Sequence, residues 1–490
     1  MKRTASFVLA LSTVLAGAGS DPACAVESDG PYQATGFKVG EVTDTTAVVW
    51  TRLTRNARRN PADGPMVKIL YAEDASGKRR NEVVGVEYPR GMTVADIRHA
   101  VPGTTGQVRV AYRKASADQW RTTPWQDVDP QRDFTRQILL DHLQPHCQYS
   151  LRVECRQGPE GPPGQTLEGR FRTAPAATQA ARVVFTVSTG QGYGSQDRPD
   201  GYNIYPEMLK LDPSFFVHTG DIVYYDRLAK TIELARYHWQ RTYSLPTNVE
   251  FHRQVASYFI KDDHDTWQND CWPTMRRDNM FQFTFQQGLA VFREQVPMGP
   301  RTYRTYRWGK DLQIWLVEGR DFRSPNTDPD GPNKTIWGAE QKAWFMRTVQ
   351  QSDATFRILI SPTPMVGPDR ASKADNHANK AFAWEGLQLR RFIGSQKNMF
   401  VLCGDRHWQY VSVDPETGVW EFSCGPVSNK HAGGWKQSNF VAEYHRYLNV
   451  IGGFLSVTID RIEGVPTAIF RHHDVRGQVR HEERIAAARR

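Results

Sequence analysis

The chain has 490 residues, 39% of them hydrophobic and 11% aromatic, enough for a large core and for two or three domains. Charged residues make up 23%, with no long like-charge block and no low-complexity tract, which excludes wholesale disorder. Beyond a marginal stretch at the N-terminus, no apolar run reaches the roughly 20 residues of a bilayer span, and no period of roughly 20–50 residues recurs, so a multi-pass membrane protein and a solenoid are excluded too.

The first segment reads as a processing signal. Lys2 and Arg3 precede an apolar run over residues 7–16, and Ala23-Cys24-Ala25 offers a cleavage site. Residues 1–25 are therefore expected to be a signal peptide, and the mature chain periplasmic or secreted. The formal charge of +9 falls to +8 without that segment, since it carries Lys2, Arg3 and Asp21. This basic excess suits an anionic substrate and equally a solvated surface. No nucleic-acid motif is present. Five cysteines remain: Cys147, Cys155, Cys271, Cys403 and Cys424. Cys147 and Cys155 share one strand-like run, roughly 26 Å apart if extended, beyond the reach of about 7 Å for a disulfide.

Residues 32–175 read as all-β. Strands are expected within residues 40–52, 67–72, 108–112, 143–153 and 169–173, each β-branched or aromatic and bounded by turn residues. Leu143, Pro145 and Tyr149 resemble the corner of a fibronectin type III-like sandwich, where the tyrosine hydroxyl bonds back to the backbone.

From residue 182 the pattern changes to nearly continuous apolar runs alternating with helical segments. Strands are expected at residues 183–187, 215–218, 313–317, 356–360 and 399–402, and helices at 205–211, 229–243 and 338–351. That alternation points to an α/β layered domain whose chemistry lies in loops at the carboxyl ends of the strands.

Those loops hold three clusters of aspartate and histidine: Gly220-Asp221 with Tyr224 and Asp226, Asp262-Asp263-His264-Asp265, and Gly404-Asp405-Arg406-His407. Carboxylates and imidazoles converging from several strand ends fit a site for more than one cation. Oxygen ligands suit Ca²⁺, Mg²⁺ or Mn²⁺, and imidazole suits iron or Zn²⁺. Gly220 and Gly404 let the backbone turn sharply beside each aspartate.

Together these segments resemble the alkaline phosphatase D (PhoD-like) family of the metallophosphatase superfamily. The similarity runs through GEVTDTTAVVWTR, LQPHCQYSLRV, FFVHTGDIVYYD, KDDHD, LVEGRDFRSP, GAEQKAWFMRTVQQSDATFRILISPTP, LCGDRH and FRHHDVRGQV. It implies an α/β layered metallophosphatase sandwich, two β-sheets flanked by helices, over residues 182–490, behind an N-terminal all-β fibronectin III-like domain over residues 32–175. It implies a metal-dependent hydrolase of phosphomonoesters or phosphodiesters, with Ca²⁺ and Fe³⁺ as its metals, in which a water of lowered pKa attacks phosphorus in line. Asp221 would bridge two cations and Tyr224 would be a phenolate ligand. Asp263 and Asp262 would hold the second cation, and Asp405 and His407 would complete the set. His264 would protonate the leaving oxygen or contact the phosphoryl group. Arg320 and Arg323 would pair with phosphate oxygens, or else with Asp321 and Asp328.

The first strand departs from the family pattern. It ends Ser188-Thr189-Gly190-Gln191, without the Asp-x-His of the superfamily or the cysteine frequent in the family. Among the remaining clusters, Asn376 in the Lys373–His377 segment is a further substrate contact or an ordinary loop residue. Tyr193, Gly194 and Gln196 line the entrance or an ordinary loop. His472 and His473 read as a surface pair, and Trp315, Trp337 and Trp344 as core. A monomer acting on a small-molecule or lipid phosphoester is expected. The alternatives are a sulfate-ester hydrolase on the same scaffold and an inactive binding or adhesion protein.

Overall fold

The computed structural model describes residues 30–488; the expected signal peptide lies outside them. Two sheets and a separate hairpin of Lys68–Glu73 and Arg79–Glu87 form the N-terminal region. One pairs Phe37–Gly40, Ala47–Arg52 and Thr135–Leu140 in that order. The other pairs Pro163–Arg172, Gln148–Arg156 and Gln107–Lys114, with two short strands on its far edge. Period-2 alternation sets the faces: along Gln148–Arg156 the side chains of Tyr149, Leu151, Val153 and Cys155 are buried and their neighbours are not. The Tyr149 hydroxyl accepts a 2.8 Å hydrogen bond from the Gln144 N–H, and its ring stacks on Phe171. All five cysteines of the described residues are free.

Two larger sheets follow. The six-stranded sheet runs Ser257–Phe259, Phe215–His218, Val183–Ser188, Gly453–Ile462, Val465–Asp474 and Val479–Ala486; its first three strands are parallel. The seven-stranded sheet runs Arg304–Trp308, Leu312–Leu316, Phe356–Ser361, Met399–Cys403, Trp420–Cys424, Gln409–Val413 and His445–Asn449, with four consecutive parallel strands at its centre. Strands buried on both faces explain the unbroken apolar runs. Phe185, Val187, Phe215 and Phe470 of one sheet share a core with Ile314, Ile358, Leu402 and Phe422 of the other, and Phe422 stacks on Phe470 at 4.1 Å. Outside, helices Gly338–Gln351 and Ala383–Gly394 cover the seven-stranded sheet through Phe345, Leu389 and Ile393 packed on Trp315, Leu359 and Val401. Helices Ile204–Leu209 and Pro246–His252 cover the six-stranded sheet through Tyr205, Met208 and Phe251 packed on Phe216 and Phe454. The order of layers is helix, sheet, sheet, helix. No helix among the described residues is long and apolar enough to cross a membrane.

The N-terminal sheets are fastened to this sandwich. The Lys38 ammonium sits between the rings of Trp50 and Tyr243 and donates to the Gln295 carbonyl at 2.9 Å, and the Trp50 indole donates to the Glu294 carbonyl. One expectation is corrected here. His472 and His473 are buried, not a surface pair, because their strand is flanked on both sides within its sheet. His472 Nε2 reaches the Ser423 carbonyl of the opposite sheet at 2.9 Å, and His473 Nε2 pairs with Ser456 Oγ at 2.8 Å.

Candidate metal centre

The parallel strands of both sheets deliver their carboxyl ends to one edge. Hydrogen bonds knit those ends together: Gly190 N–H to the Gly220 carbonyl at 3.3 Å, Gln191 N–H to the Asp221 carbonyl at 2.7 Å, and Asp405 N–H to Thr189 Oγ1 at 3.2 Å. Asp221 and Asp405 both take the left-handed conformation, with φ of 56° and 61°, an uncommon state for a non-glycine residue that concentrates at functional sites. The preceding glycines are required by space. A Cβ on Gly220 would stand 2.6 Å from that of Asp262, and one on Gly404 would stand 2.4 Å from Thr219 Oγ1.

Among the described residues, Asp221, Asp263 and His264 bring one ligand atom each to within 4.8 Å of one another. Asp265 ties their two turns together, accepting from the Asp262 N–H at 2.6 Å and from the Ile222 N–H at 3.0 Å. Asp263 accepts from the backbone N–H groups of His264 and Asp270. The Tyr224 hydroxyl donates to Asp221 Oδ2 at 3.1 Å and lies 3.3 Å from His407 Nε2, which is itself 3.6 Å from Asp221 Oδ2. His264 Nδ1 meets Asp226 Oδ2 at 2.5 Å.

The electrostatics are those of carboxylates short of positive charge. Burial pushes the Asp221 carboxyl up to about 7, with Asp263 adding to the rise and His264 opposing it. Burial likewise pushes Asp405 up to about 7 against the pull of Arg406. Burial, reinforced by His264 and Arg406, holds His407 down at about 3, so its ring is neutral and can donate a lone pair. Asp221 Oδ1 and Asp262 Oδ2 are buried without a hydrogen-bond partner. An unpartnered buried carboxylate oxygen is costly, and a cation would satisfy it. The oxygen-rich donor set with neutral imidazole fits a hard or borderline ion, so these residues fit a metal.

Not every expected residue faces that space. Asp262 turns from the group of three: its Oδ1 accepts from Arg320 Nε at 2.7 Å. Arg320 and Arg323, expected at the phosphate, are 0% and 4% exposed, and their partners are the protein's own oxygens. Arg320 lies 3.8 Å from Asp263 as well, and Arg323 donates to Asn326 and to the Asp375 carbonyl. Neither pairs with Asp321 or Asp328. Asn376 is fully buried, donates to Asp369 and Asp375, and accepts from the Ala378 N–H. These three lie buried among the protein's own carboxylates and carbonyls, and Arg320 Nη2 and Arg323 Nε have no hydrogen-bond partner there. Arg406 works alongside them, meeting Asp369 and Asp405 at 2.7 Å each.

The sequence reading missed His431. Its Nε2 lies 2.7 Å from the Tyr224 hydroxyl, and its ring centre is 4.2 Å from that of His407. A signal was available: its loop follows Trp420–Cys424, a parallel strand of the site's own sheet. Asp226 was part of the first aspartate cluster in the sequence, but its pairing with His264 was not expected.

Two facing mixed sheets, whose central parallel strands bring carboxylates and imidazoles to one edge, define a metallophosphatase-like sandwich. Solved structures share that fold. A structure of PhoD superposes with a TM-score of 0.69 at 16% identity, covering 94% of this chain and 90% of its own. A purple acid phosphatase from yellow lupin (Lupinus luteus) seeds superposes with a TM-score of 0.62 at 10% identity, covering 92% of this chain and 74% of its own. The chain belongs to the PhoD-like phosphatase family, whose model matches residues 185–453, more than half of its length. Alkaline phosphatase D of Bacillus subtilis (strain 168) is 22% identical over 323 residues, 56% of this chain and 53% of the relative, so the chain spans about half the length of that curated relative.

Proposed function

We propose that the protein is an exported, metal-dependent hydrolase of phosphoesters, working as a monomer on a small-molecule or lipid phosphomonoester or phosphodiester. The observation that carries this reading is the buried Asp221 carboxylate, with one oxygen unpartnered, grouped with Asp263 and His264 where the parallel strands end. Residues 182–490 form the catalytic unit in this reading, and residues 32–175 a fibronectin III-like domain against it.

Asp221, Asp263, Asp405, His407 and Tyr224 would hold the cations, with Asp262 supporting them through Arg320. Bound cations supply charge neutralisation for the phosphoryl oxygens and a lowered pKa for an attacking water. The protein's own residues do the rest. Asp226 accepts from His264 Nδ1, which leaves Nε2 to carry a proton to the leaving oxygen. The Tyr224 ring, 4.4 Å from that of His264 between centres, limits how the imidazole can swing.

Chelation tests the reading. Prolonged dialysis against chelator should abolish hydrolysis of an aryl phosphate mono- or diester, lower the thermal midpoint, and be reversed by added metal. Full activity in excess chelator would overturn it. Calcium is the expected metal, with Fe³⁺ at Tyr224. Ferric phenolate should then give a visible absorption band that Tyr224→Phe removes, and a colourless protein fully active with Ca²⁺ alone would place Tyr224 outside the coordination shell.

A further inference from the structure

The first strand brings no side-chain donor to the centre. Ser188 shares the strand face of Val184 and Thr186, which points away from the inter-sheet core. Thr189 Oγ1 is spent on the Gly220 carbonyl and the Asp405 N–H, Gly190 has no side chain, and Gln191 Oε1 accepts from the Tyr205 hydroxyl. What stands over Gly190 instead is a pair of imidazoles. A Cβ at Gly190 would lie 3.2 Å from the His407 ring and 3.3 Å from the His431 ring, and one at Gly192 would lie 2.6 Å from His431 Nδ1. The missing side chains of the first loop are the room that His431 occupies.

The loop bearing His431 is fixed rather than free to drift. Val427 N–H bonds to the Thr189 carbonyl at 3.2 Å, Gly433 N–H to the His407 carbonyl at 3.0 Å, and Asn429 Oδ1 accepts from the Gly452 N–H at 2.9 Å. Ser428 Oγ donates to Asp197 at 2.9 Å, and Lys430 Nζ to the Gln196 carbonyl at 2.7 Å. The ring is oriented at both nitrogens. Ser195 Oγ lies 3.3 Å from Nδ1, while Nε2 faces the hydroxyl of Tyr224 at 2.7 Å. With the proton on Nδ1 toward Ser195, the Nε2 lone pair points at the space bounded by Tyr224, Asp221 and His407. Metal-bound histidines are commonly held by such a contact on the far nitrogen.

We propose that His431 is a further ligand of the cation centre, supplying from the loop after Trp420–Cys424 the donor that the end of the first strand lacks. The inference rests on the metal reading above. The assignment changes the chemistry of the centre: an imidazole replaces a carboxylate or thiolate, so the bound cation keeps one more unit of positive charge and favours anionic groups more strongly.

The test uses the full chain, stripped with chelator and titrated with Mn²⁺, in wild-type, His431→Ala, His431→Gln and His407→Ala forms. Calorimetry reads affinity, and ¹⁴N couplings in pulsed electron paramagnetic resonance read the imidazoles on the ion. Both His431 variants should bind Mn²⁺ more than about tenfold more weakly and show one coupled imidazole nitrogen fewer than wild type, as His407→Ala should. An unchanged nitrogen count in His431→Gln, which keeps a polar group toward Tyr224, would overturn the assignment, whether or not affinity falls, because His431 would then only position Tyr224. Far-ultraviolet circular dichroism establishes that each variant is folded, and the glutamine variant decides alone if the alanine variant is not. A wild-type chain that binds no Mn²⁺ would instead overturn the metal reading itself.

Discussion

The two Gly-Asp turns at the centre are near copies in backbone and differ in the positive groups that meet them, although burial raises both carboxyls to about 7. Asp221 and Asp405 share a left-handed conformation, and in both cases a glycine precedes with no room for a side chain. Around Asp405 the protein brings its own cations. Arg406 meets Asp405 and Asp369, Arg320 meets Asp262, and Lys373 meets Asp270 at 2.7 Å and Asp375 at 3.5 Å. Around Asp221 the contacts are the Tyr224 phenol and the neutral His407 ring, one carboxylate oxygen has no partner, and the positive neighbour is the His264 imidazole rather than a guanidinium in direct contact. The same local geometry thus serves two ends. The arginines and Lys373 on the Asp405 side are scaffold, while Asp221 and Asp405 themselves both belong to the proposed cation centre.

The largest effect should come from the side without fixed cations. His264→Ala should lower kcat about 10²–10⁴-fold while leaving bound metal unchanged. Measuring metal content beside turnover separates the two roles, and metal loss equal to that of His407→Ala would make His264 a ligand and erase the distinction.

The scaffold side should fail through stability. Arg320→Met leaves Asp262 and Asp263 without their guanidinium, and removing one partner of a buried pair costs about 3–5 kcal/mol. Urea denaturation in excess chelator should show a loss of that order. A neutral result would mean that Arg320 is not what offsets those charges.

The smallest effect belongs to Glu385, a buried carboxylate satisfied by the protein's own groups. Burial alone would push the Glu385 carboxyl up, yet hydrogen bonds from His377, Thr335 and the Ile336 N–H hold it down at about 2. His377 supplies the largest of these contributions, and Lys342 Nζ lies 3.4 Å from Glu385 Oε1 as well. A carboxyl depressed on folding stabilises the native state above its unfolded pKa, and that contribution is lost as pH falls from 4.5 toward about 2. Over that window Glu385→Gln should lose less stability than wild type, by an amount on the order of 3 kcal/mol. Parallel pH profiles would show that Glu385 gains nothing from its partners.

Elements governed by periodicity were legible in the sequence. The helix expected over residues 338–351 is found at Gly338–Gln351, and the strand expected at 215–218 at Phe215–His218. Chain-local motifs were legible too, which is why Asp221, Asp263 and His264 were singled out before they met in space. What escaped depends on burial and on distant pairing. An arginine near a catalytic motif reads the same whether it faces a substrate or lies sealed against Asp262, and only the packed sheets decide. His472 and His473 looked superficial because their strand is near the end of the chain, yet another strand follows and covers it. His431 enters the site from a loop 207 residues from Tyr224, marked only by the strand that precedes it.

Lys38 carries a consequence for how the molecule comes apart. A lysine ammonium with almost no exposure, its pKa held well below the ordinary value by burial and by Arg52, is tolerable only while Trp50, Tyr243 and the Gln295 carbonyl surround it. Trp50 comes from the N-terminal sheets, Tyr243 and Gln295 from helices of the layered sandwich. Parting the two would open a flooded seam through an apolar cluster that runs without a break from Val49 to Phe470. A shortened chain that begins near residue 180 would therefore not be a trimmed enzyme but a wound, sticky along one flank, and calorimetry of the whole should record a single melting event.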